Sequence, residues 1–516
     1  MTTKSGIGDS SSRGFGDRTF WAAAGLTAIF SVWSLVNPTS LTTTLWRWVY
    51  KFHGAFSWFT IILPFAFLCI CLYVGLGKYG NYKFGGCDAR PEFSTFSWLG
   101  MLFTAGIGVG LVNFGVAEPM SHYLTSPLGI KGGFDPPQAA QNALNMSMFI
   151  WGLTAWSIYT ISGLVVGYFT YSRGSKFLPG SPIADGFADK PWSKPLSKVA
   201  NISAAGAAAL TISASIGMGV FQVRNGIEAV TGLKFSGMTF SVVILVALFL
   251  IYTAFAILPV GKGMKKLGDA NVCIAIGLLL FVFAIGPTRY FMSLIVQTLS
   301  GTVLDMIPIS MRTFPFIEKK WFNDWPLTTM IWWISWTPFM GVFIARISKG
   351  RSLRQFMLAS ILTPTLFLVA WFSVFGGYGL MDTILGSGKI ADYIINNPDD
   401  VYLSFIMVLQ ALPFFKITGV IFILLIVVFL STTATSAAIS LSMITSNGAE
   451  NAPPLKTLTW SVIMATVAFA NVATGTLSGV RAVAVSLAIP YIFFLLLQVS
   501  GVMRAMRSDY RKGLMK

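Results

Sequence analysis

An all-α membrane protein of about twelve transmembrane helices is the fold class this sequence predicts, on three observations. Hydrophobic residues make up 54% of the 516 residues and charged ones only 11%, where a soluble domain carries roughly 25% charged. Twelve apolar runs approach the about 20 residues that a helix needs to cross a bilayer. The basic residues then distribute unevenly between the two faces that those runs define.

The runs fall at residues 20–36, 55–76, 96–116, 145–171, 204–223, 240–257, 270–285, 325–344, 356–378, 417–441, 458–472 and 482–502. Residues 290–308 are also apolar, but Gln297, Ser300, Gly301 and Asp305 interrupt them, so an amphipathic surface helix is expected there. Residues 1–18 and 503–516 read as short polar tails. An even number of spans puts both tails on one side. That side collects 24 of the 36 Lys and Arg residues, against 12 opposite, which by the positive-inside bias makes it the cytoplasm. The chain is then a multi-pass protein of the cell inner membrane. Its net charge of +17 follows from the same bias and calls for no nucleic acid.

Four cysteines show neither metal nor disulfide spacing, and His53 and His122 are the only histidines. No His pair, Cys–His set or carboxylate dyad lies within the spans, so a membrane-embedded enzyme is excluded and no cofactor is expected beyond a coupling ion.

The third span holds Gly106, Gly108 and Gly110 at alternate positions. Glycine suits places where backbone unwinds or is closely approached, although helix packing through small residues is the plainer reading. The eighth span reads Trp332-Trp333-Ile334-Ser335-Trp336-Thr337-Pro338-Phe339, and its mid-span proline predicts a break or kink near Ser335–Pro338. These two spans lie five apart in the count. Two five-helix repeats follow, at about residues 96–285 and 325–502, preceded by two extra helices. An odd number of crossings per repeat forces inverted topology, the arrangement of many secondary transporters, whose sites lie at the midplane near broken helices.

Tryptophan normally occupies the interfacial belts. Trp332, Trp333 and Trp336 instead fall about 10 to 16 Å inside their span at 1.5 Å per residue. In the fourth span Trp151, Trp156 and Tyr159 share one helical face. A trimethylammonium group has no N–H to donate, and aromatic faces attract it by about 2 kcal/mol per desolvated ring. Few carboxylates lie deep; Glu118 ends the third span and Asp269 opens the seventh. Rings without a buried acid suit a zwitterion. In the tenth span, Ser431-Thr432-Thr433-Ala434-Thr435-Ser436 either bond back to their own helix or supply oxygens to a dehydrated Na⁺.

Together these residues resemble the betaine/choline/carnitine transporter family. The resemblance runs from Arg90-Pro91-Glu92-Phe93-Ser94 to the last span. It rests most on the tryptophan block of the eighth span followed by Ala345-Arg346-Ile347-Ser348-Lys349-Gly350-Arg351. It implies the inverted-repeat fold of sodium-coupled amino-acid transporters, a homotrimer, and a betaine-, carnitine- or choline-like substrate. It also implies an aromatic box of Trp151, Trp156, Tyr159 and Trp333, with Trp332 and Trp336 along the pathway. A sodium site would use carbonyls near Thr104, Ile107 and Phe429 and hydroxyls of Thr432 and Thr433. Asn271 stands where sodium-independent exchangers of the family carry arginine, which favours ion-coupled symport over the alternative, a carnitine-type substrate/product exchanger. Ala208 and Ile212 replace the hydroxyls of a second sodium site.

Overall fold

The computed structural model describes residues 17–107, 110–235, 237–260, 262–397, 401, 403–451, 453–474 and 477–515. Gly108 and residues 1–16 of the N-terminal tail lie outside them. Eleven helices among the described residues are long and apolar enough to cross a membrane, or twelve when one bent pair counts as a single span.

Two helices come first, α1 (Arg18–Val36) and α2 (Pro38–Leu76). Asn37 separates them and caps α2 by accepting from the Ser40 N–H at 2.9 Å. The sequence placed a loop at residues 37–54, but α2 runs through it. Leu41, Leu45, Val49 and Phe52 recur every three or four residues and are buried, so that turn-by-turn stripe holds the helix down.

The first repeat opens with α3 (Thr95–Ile107) and α4 (Gly110–Thr125), inclined at 60° to each other. Next come α5 (Pro136–Trp151) and α6 (Leu153–Arg173), then the short α7 (Ser181–Gly186). The long α8 (Ser193–Thr231), α9 (Met238–Ile257) and α10 (Gly263–Ile285) complete it. The fourth span is therefore also interrupted, at Gly152 with φ −91° and ψ −130°.

Between the repeats lie α11 (Thr288–Leu304), α12 (Met306–Ser310) and α13 (Lys320–Phe322). α11 stands where a surface helix is expected; its exposed positions mix Met292, Val296, Val303 and Leu304 with Ser293, Gln297 and Ser300, and its buried ones are Phe291, Thr298, Gly301 and Thr302.

The second repeat enters through a π-helical stretch, Asn323–Leu327, that leads into α14 (Thr328–Ile347). It continues with α15 (Leu353–Trp371), a second π stretch (Phe372–Gly376) and α16 (Gly377–Leu385). The short α17 (Lys389–Asn396) and α18 (Leu403–Gln410) precede α19 (Phe415–Ile444), α20 (Pro454–Thr474) and α21 (Leu477–Arg511).

Helix packing repeats when the halves are exchanged. α8 packs on α19, α20 and α21, and α19 packs on α8, α9 and α10. α3 lies against α10 as α14 lies against α21. α6 lies against α14, and α15 in turn against α3. The most enclosed are α5–α6, α8 and the α13–α14 segment, in each of which 94% of an 18-residue apolar stretch is buried, against 17% in α1.

The break expected near Ser335–Pro338 is absent, since α14 is continuous through Pro338. Proline deprives the Ile334 carbonyl of its helical donor, and the Thr337 hydroxyl replaces that donor at 2.6 Å. The Ser335 hydroxyl donates to the Trp332 carbonyl at 2.6 Å, and the Ser162 hydroxyl reaches across from α6 to the Thr337 carbonyl at 2.9 Å. Hydroxyls thus keep the proline helix whole, and the irregular backbone lies about three turns earlier, in the π stretch.

At one end of the bundle two sequence blocks clasp each other. The Arg346 guanidinium donates to the Glu92 carboxylate at 2.7 Å, and Arg351 donates to the Phe93 carbonyl at 2.7 Å while lying 4.7 Å over the Trp98 ring. The Trp98 indole N–H donates to Ser348 Oγ at 2.9 Å. Gly350, at φ +78°, lets the chains touch, for a Cβ there would lie 2.3 Å from the Arg90 carbonyl carbon. The clasp fixes the start of α3 to the end of α14.

Candidate functional site

Four aromatic rings, from α14 and the interrupted span α5–α6, meet in the bundle. Trp333 on α14 lies 5.3 Å from Trp151, 5.0 Å from Tyr159 and 6.3 Å from Trp156, centroid to centroid. Trp156 and Tyr159 meet edge to face at 5.8 Å. The interruption at Gly152 puts Trp151 at the end of α5 and the other two at the start of α6, so the rings come from different directions.

A small cavity of about 30 Å³ opens against this cluster, lined by Trp151, Tyr159, Trp332, Trp333 and Trp336. Gly106, Ile107 and Gly110 also line it. Trp156 stands behind the lining: its ring stacks on Phe103 at 6.2 Å, and its buried indole N–H has no partner among the described residues. Five of the six aromatics named from sequence therefore face the cavity, and the sixth supports them.

The glycines serve the rings. A Cβ on Gly106 would lie 3.1 Å from both Trp156 and Tyr159, and one on Gly110 only 2.5 Å from Trp151. Side chains at these positions would push the rings apart.

Among the described residues no carboxylate belongs to this lining; besides the aromatic side chains, its polar groups come from Ser215 on α8 and Thr329 on α14. Sequence reasoning missed both, because nothing in spacing sets them apart from structural hydroxyls. It also missed Phe114, which lies 5.7 Å from Trp151 and 6.0 Å from Trp332 and joins the two halves of the aromatic lattice. Such a lining offers a methylated cation the electron-rich faces of several rings at once.

The five residues named for sodium are buried on two helices that pack together, Thr104 and Ile107 on α3 and Phe429, Thr432 and Thr433 on α19. Thr433 Oγ1 lies 3.5 Å from the Thr104 carbonyl oxygen across that contact. Sodium is close in size to calcium, whose oxygen ligands sit at about 2.3–2.6 Å, and two such ligands at right angles are about 3.4 Å apart. The pair fits a cation of that size. Thr432 instead donates back to the Val428 carbonyl at 2.6 Å. Asn271 is fully buried on α10, which packs on both α3 and α19, and its amide has no partner among the described residues. Among these residues no group of three or more His, Cys, Asp or Glu could hold a metal, so any ion here would be held by neutral oxygens.

Comparison with known proteins gives one family. The model described as "BCCT, betaine/carnitine/choline family transporter" matches residues 18–511. Glycine betaine transporter OpuD of Bacillus subtilis (strain 168) is 31% identical over 496 residues, which span 96% of this chain and 95% of that one. Glycine betaine transporter 1 of Vibrio parahaemolyticus is 32% identical over 497 residues, spanning 95% and 93%. Osmo-dependent choline transporter BetT2 of Acinetobacter baylyi is 29% identical over 506 residues, spanning 96% and 72%.

Proposed function

Because this chain belongs to the betaine/carnitine/choline family of transporters, we propose that it takes up a zwitterionic methylated-ammonium compound of the glycine betaine type by cation-coupled symport. The observation that carries this reading is the ring-lined cavity with no carboxylate in its wall. A bare cation such as choline would meet no carboxylate directly in the wall, whereas a betaine brings its own. The ammonium group would face Trp151, Tyr159 and Trp333, with Trp156 behind them and Trp332 and Trp336 along the path.

Sodium is the coupling ion we assign, held by the oxygens of Thr104, Ile107, Phe429 and Thr433, with Thr432 free to join them by turning away from Val428. Bound there, it would tie α3 to α19 beside the cavity and so favour the substrate-ready arrangement. Alternating access would move one repeat against the other around the rings. In the cell, the chain would lie in the inner membrane with both ends in the cytoplasm, as the charge bias requires.

Uptake of labelled glycine betaine, carnitine and choline into proteoliposomes, with and without an inward Na⁺ gradient, tests this. Gradient-driven accumulation of glycine betaine is expected, abolished in Trp333→Leu. In Thr433→Ala the Na⁺ concentration for half-maximal uptake should rise about tenfold, the loss of roughly one good ligand. Uptake only into vesicles preloaded with a related compound, indifferent to Na⁺, would make the protein an exchanger. No uptake of any methylated ammonium would overturn the aromatic box.

A further inference from the structure

One buried acid–base pair touches the box without lining it. Glu118 and His122 lie one turn apart on α4, each about 1% exposed, with Glu118 Oε1 3.4 Å from His122 Nε2. The other carboxylate oxygen accepts the indole N–H of Trp151 at 2.6 Å. His122 Nδ1 has no partner among the described residues, and the imidazole meets Trp321 at 5.5 Å and Trp325 at 5.3 Å, in both cases edge to face.

We propose that Glu118 and His122 form a proton-binding pair that sets the affinity of the aromatic box through Trp151. This rests on the reading of that box as the substrate site. Both residues are positioning residues, since they act on the substrate only through the indole.

The physical chain is short. An anionic acceptor on the indole N–H raises the electron density of the ring and anchors its orientation. Both effects strengthen its pull on a cation in the cavity. When the pair takes up a proton from water, the carboxylate's charge is neutralised by the imidazolium beside it, and the ring loses that support. Trp321 and Trp325 supply the aromatic surroundings in which an imidazolium is tolerated. Conversely, an ammonium group against Trp151 repels the added proton and releases it to solvent. Linkage makes the two effects equal in size, so substrate binding should weaken as pH falls.

Other ionisable groups around α4 are committed or peripheral. α5, α18 and the π stretch Phe372–Gly376 carry none. On α16, Asp382 accepts from Ser387 and Tyr378 is half-buried; Tyr393 on α17 is likewise half-buried. Lys131, Lys389 and Asp392 are exposed. Beside Trp321 and Trp325, Asp324 pairs with Lys320 at 2.7 Å. Arg481 stands 5.9 Å over the Trp332 ring and keeps its charge at every relevant pH.

The test is equilibrium binding of glycine betaine to the purified full chain in lipid nanodiscs, followed by calorimetry between about pH 5.5 and pH 8, the range in which an imidazole titrates. Wild type should bind at least about fivefold more weakly at the acid end, and should release protons on binding when buffers of different ionisation enthalpy are compared. Glu118→Gln keeps an acceptor for Trp151 but not the charge, and His122→Asn removes the imidazole; both should flatten the profile and abolish proton release. A flat wild-type profile, or an undiminished slope in these variants, would overturn the pair. Should Glu118→Gln fail to fold, His122→Asn and the wild-type proton count decide. Trp333→Leu separates the two readings: unchanged binding in that variant sinks the box itself, whereas lost binding leaves the box standing and the pH profile to judge the pair.

Discussion

A Cβ built on Gly110 lies 2.5 Å from one ring carbon of Trp151 and 3.0 Å from a second, closer than packed carbon atoms come. The ring cannot retreat freely, because its N–H is held by Glu118 and its face is met by Phe114 and Trp333. Gly110→Ala should therefore tilt Trp151 out of the box and raise the KM for uptake about tenfold or more, since displacement of a binding group by about 1 Å is enough for such losses. Gly277→Ala, where a Cβ meets nothing within 4 Å, should leave uptake unchanged and serves as the control. At this scale the sequence was readable where a residue type sat in the wrong place. Tryptophans deep in a span and glycines at alternate positions both announced themselves. Glu118 was visible as a rare acid, but its bond to Trp151 joins residues 33 apart on different helices, and no local pattern encodes that contact. Ser215 and Thr329 were silent for the same reason.

Helices α14 and α5–α6 show how an element can depart from its local signals. Pro338 argues for a break in α14 when only the backbone is considered. The side chains beside it reverse the outcome, because Thr337 supplies the missing donor to the Ile334 carbonyl and Ser162 secures the Thr337 carbonyl from the neighbouring helix. Thr337→Val keeps the shape but removes the donor, leaving a buried carbonyl unpaired. It should destabilise the protein by about 1–2 kcal/mol, the range of hydrogen bonds inside membranes. A lowered midpoint in thermal unfolding of the detergent-solubilised protein checks this, and Thr337→Ser should restore most of the loss. An unchanged midpoint in Thr337→Val would mean that the carbonyl finds another donor. At Gly152 the error runs the other way. The apolar pattern passes through that residue unbroken, so hydropathy alone gave one helix where the backbone turns.

Taken whole, the molecule was largely legible, because in a bilayer the length and composition of the runs decide what crosses. What the runs could not give was the length of helix outside the bilayer, as in the first part of α2 or the end of α21, which extends to Arg511. The repeat also has a consequence for orientation. When two halves pack alike and enter from opposite faces, the shape of the bundle nearly maps onto itself when turned over. Shape is then almost blind to which face is cytoplasmic, and the distribution of Lys and Arg must decide. Those residues divide 24 to 12 in favour of the face holding both chain ends. Lys389 and Leu514 are both exposed and fall on opposite faces by this assignment. In a variant lacking the four native cysteines, a membrane-impermeant maleimide added to intact cells should label Lys389→Cys and spare Leu514→Cys, and permeabilised cells should label both. The opposite pattern would turn the transporter over. The clasp between Arg346 and Glu92 would then lie on the outer face of the membrane rather than the inner one.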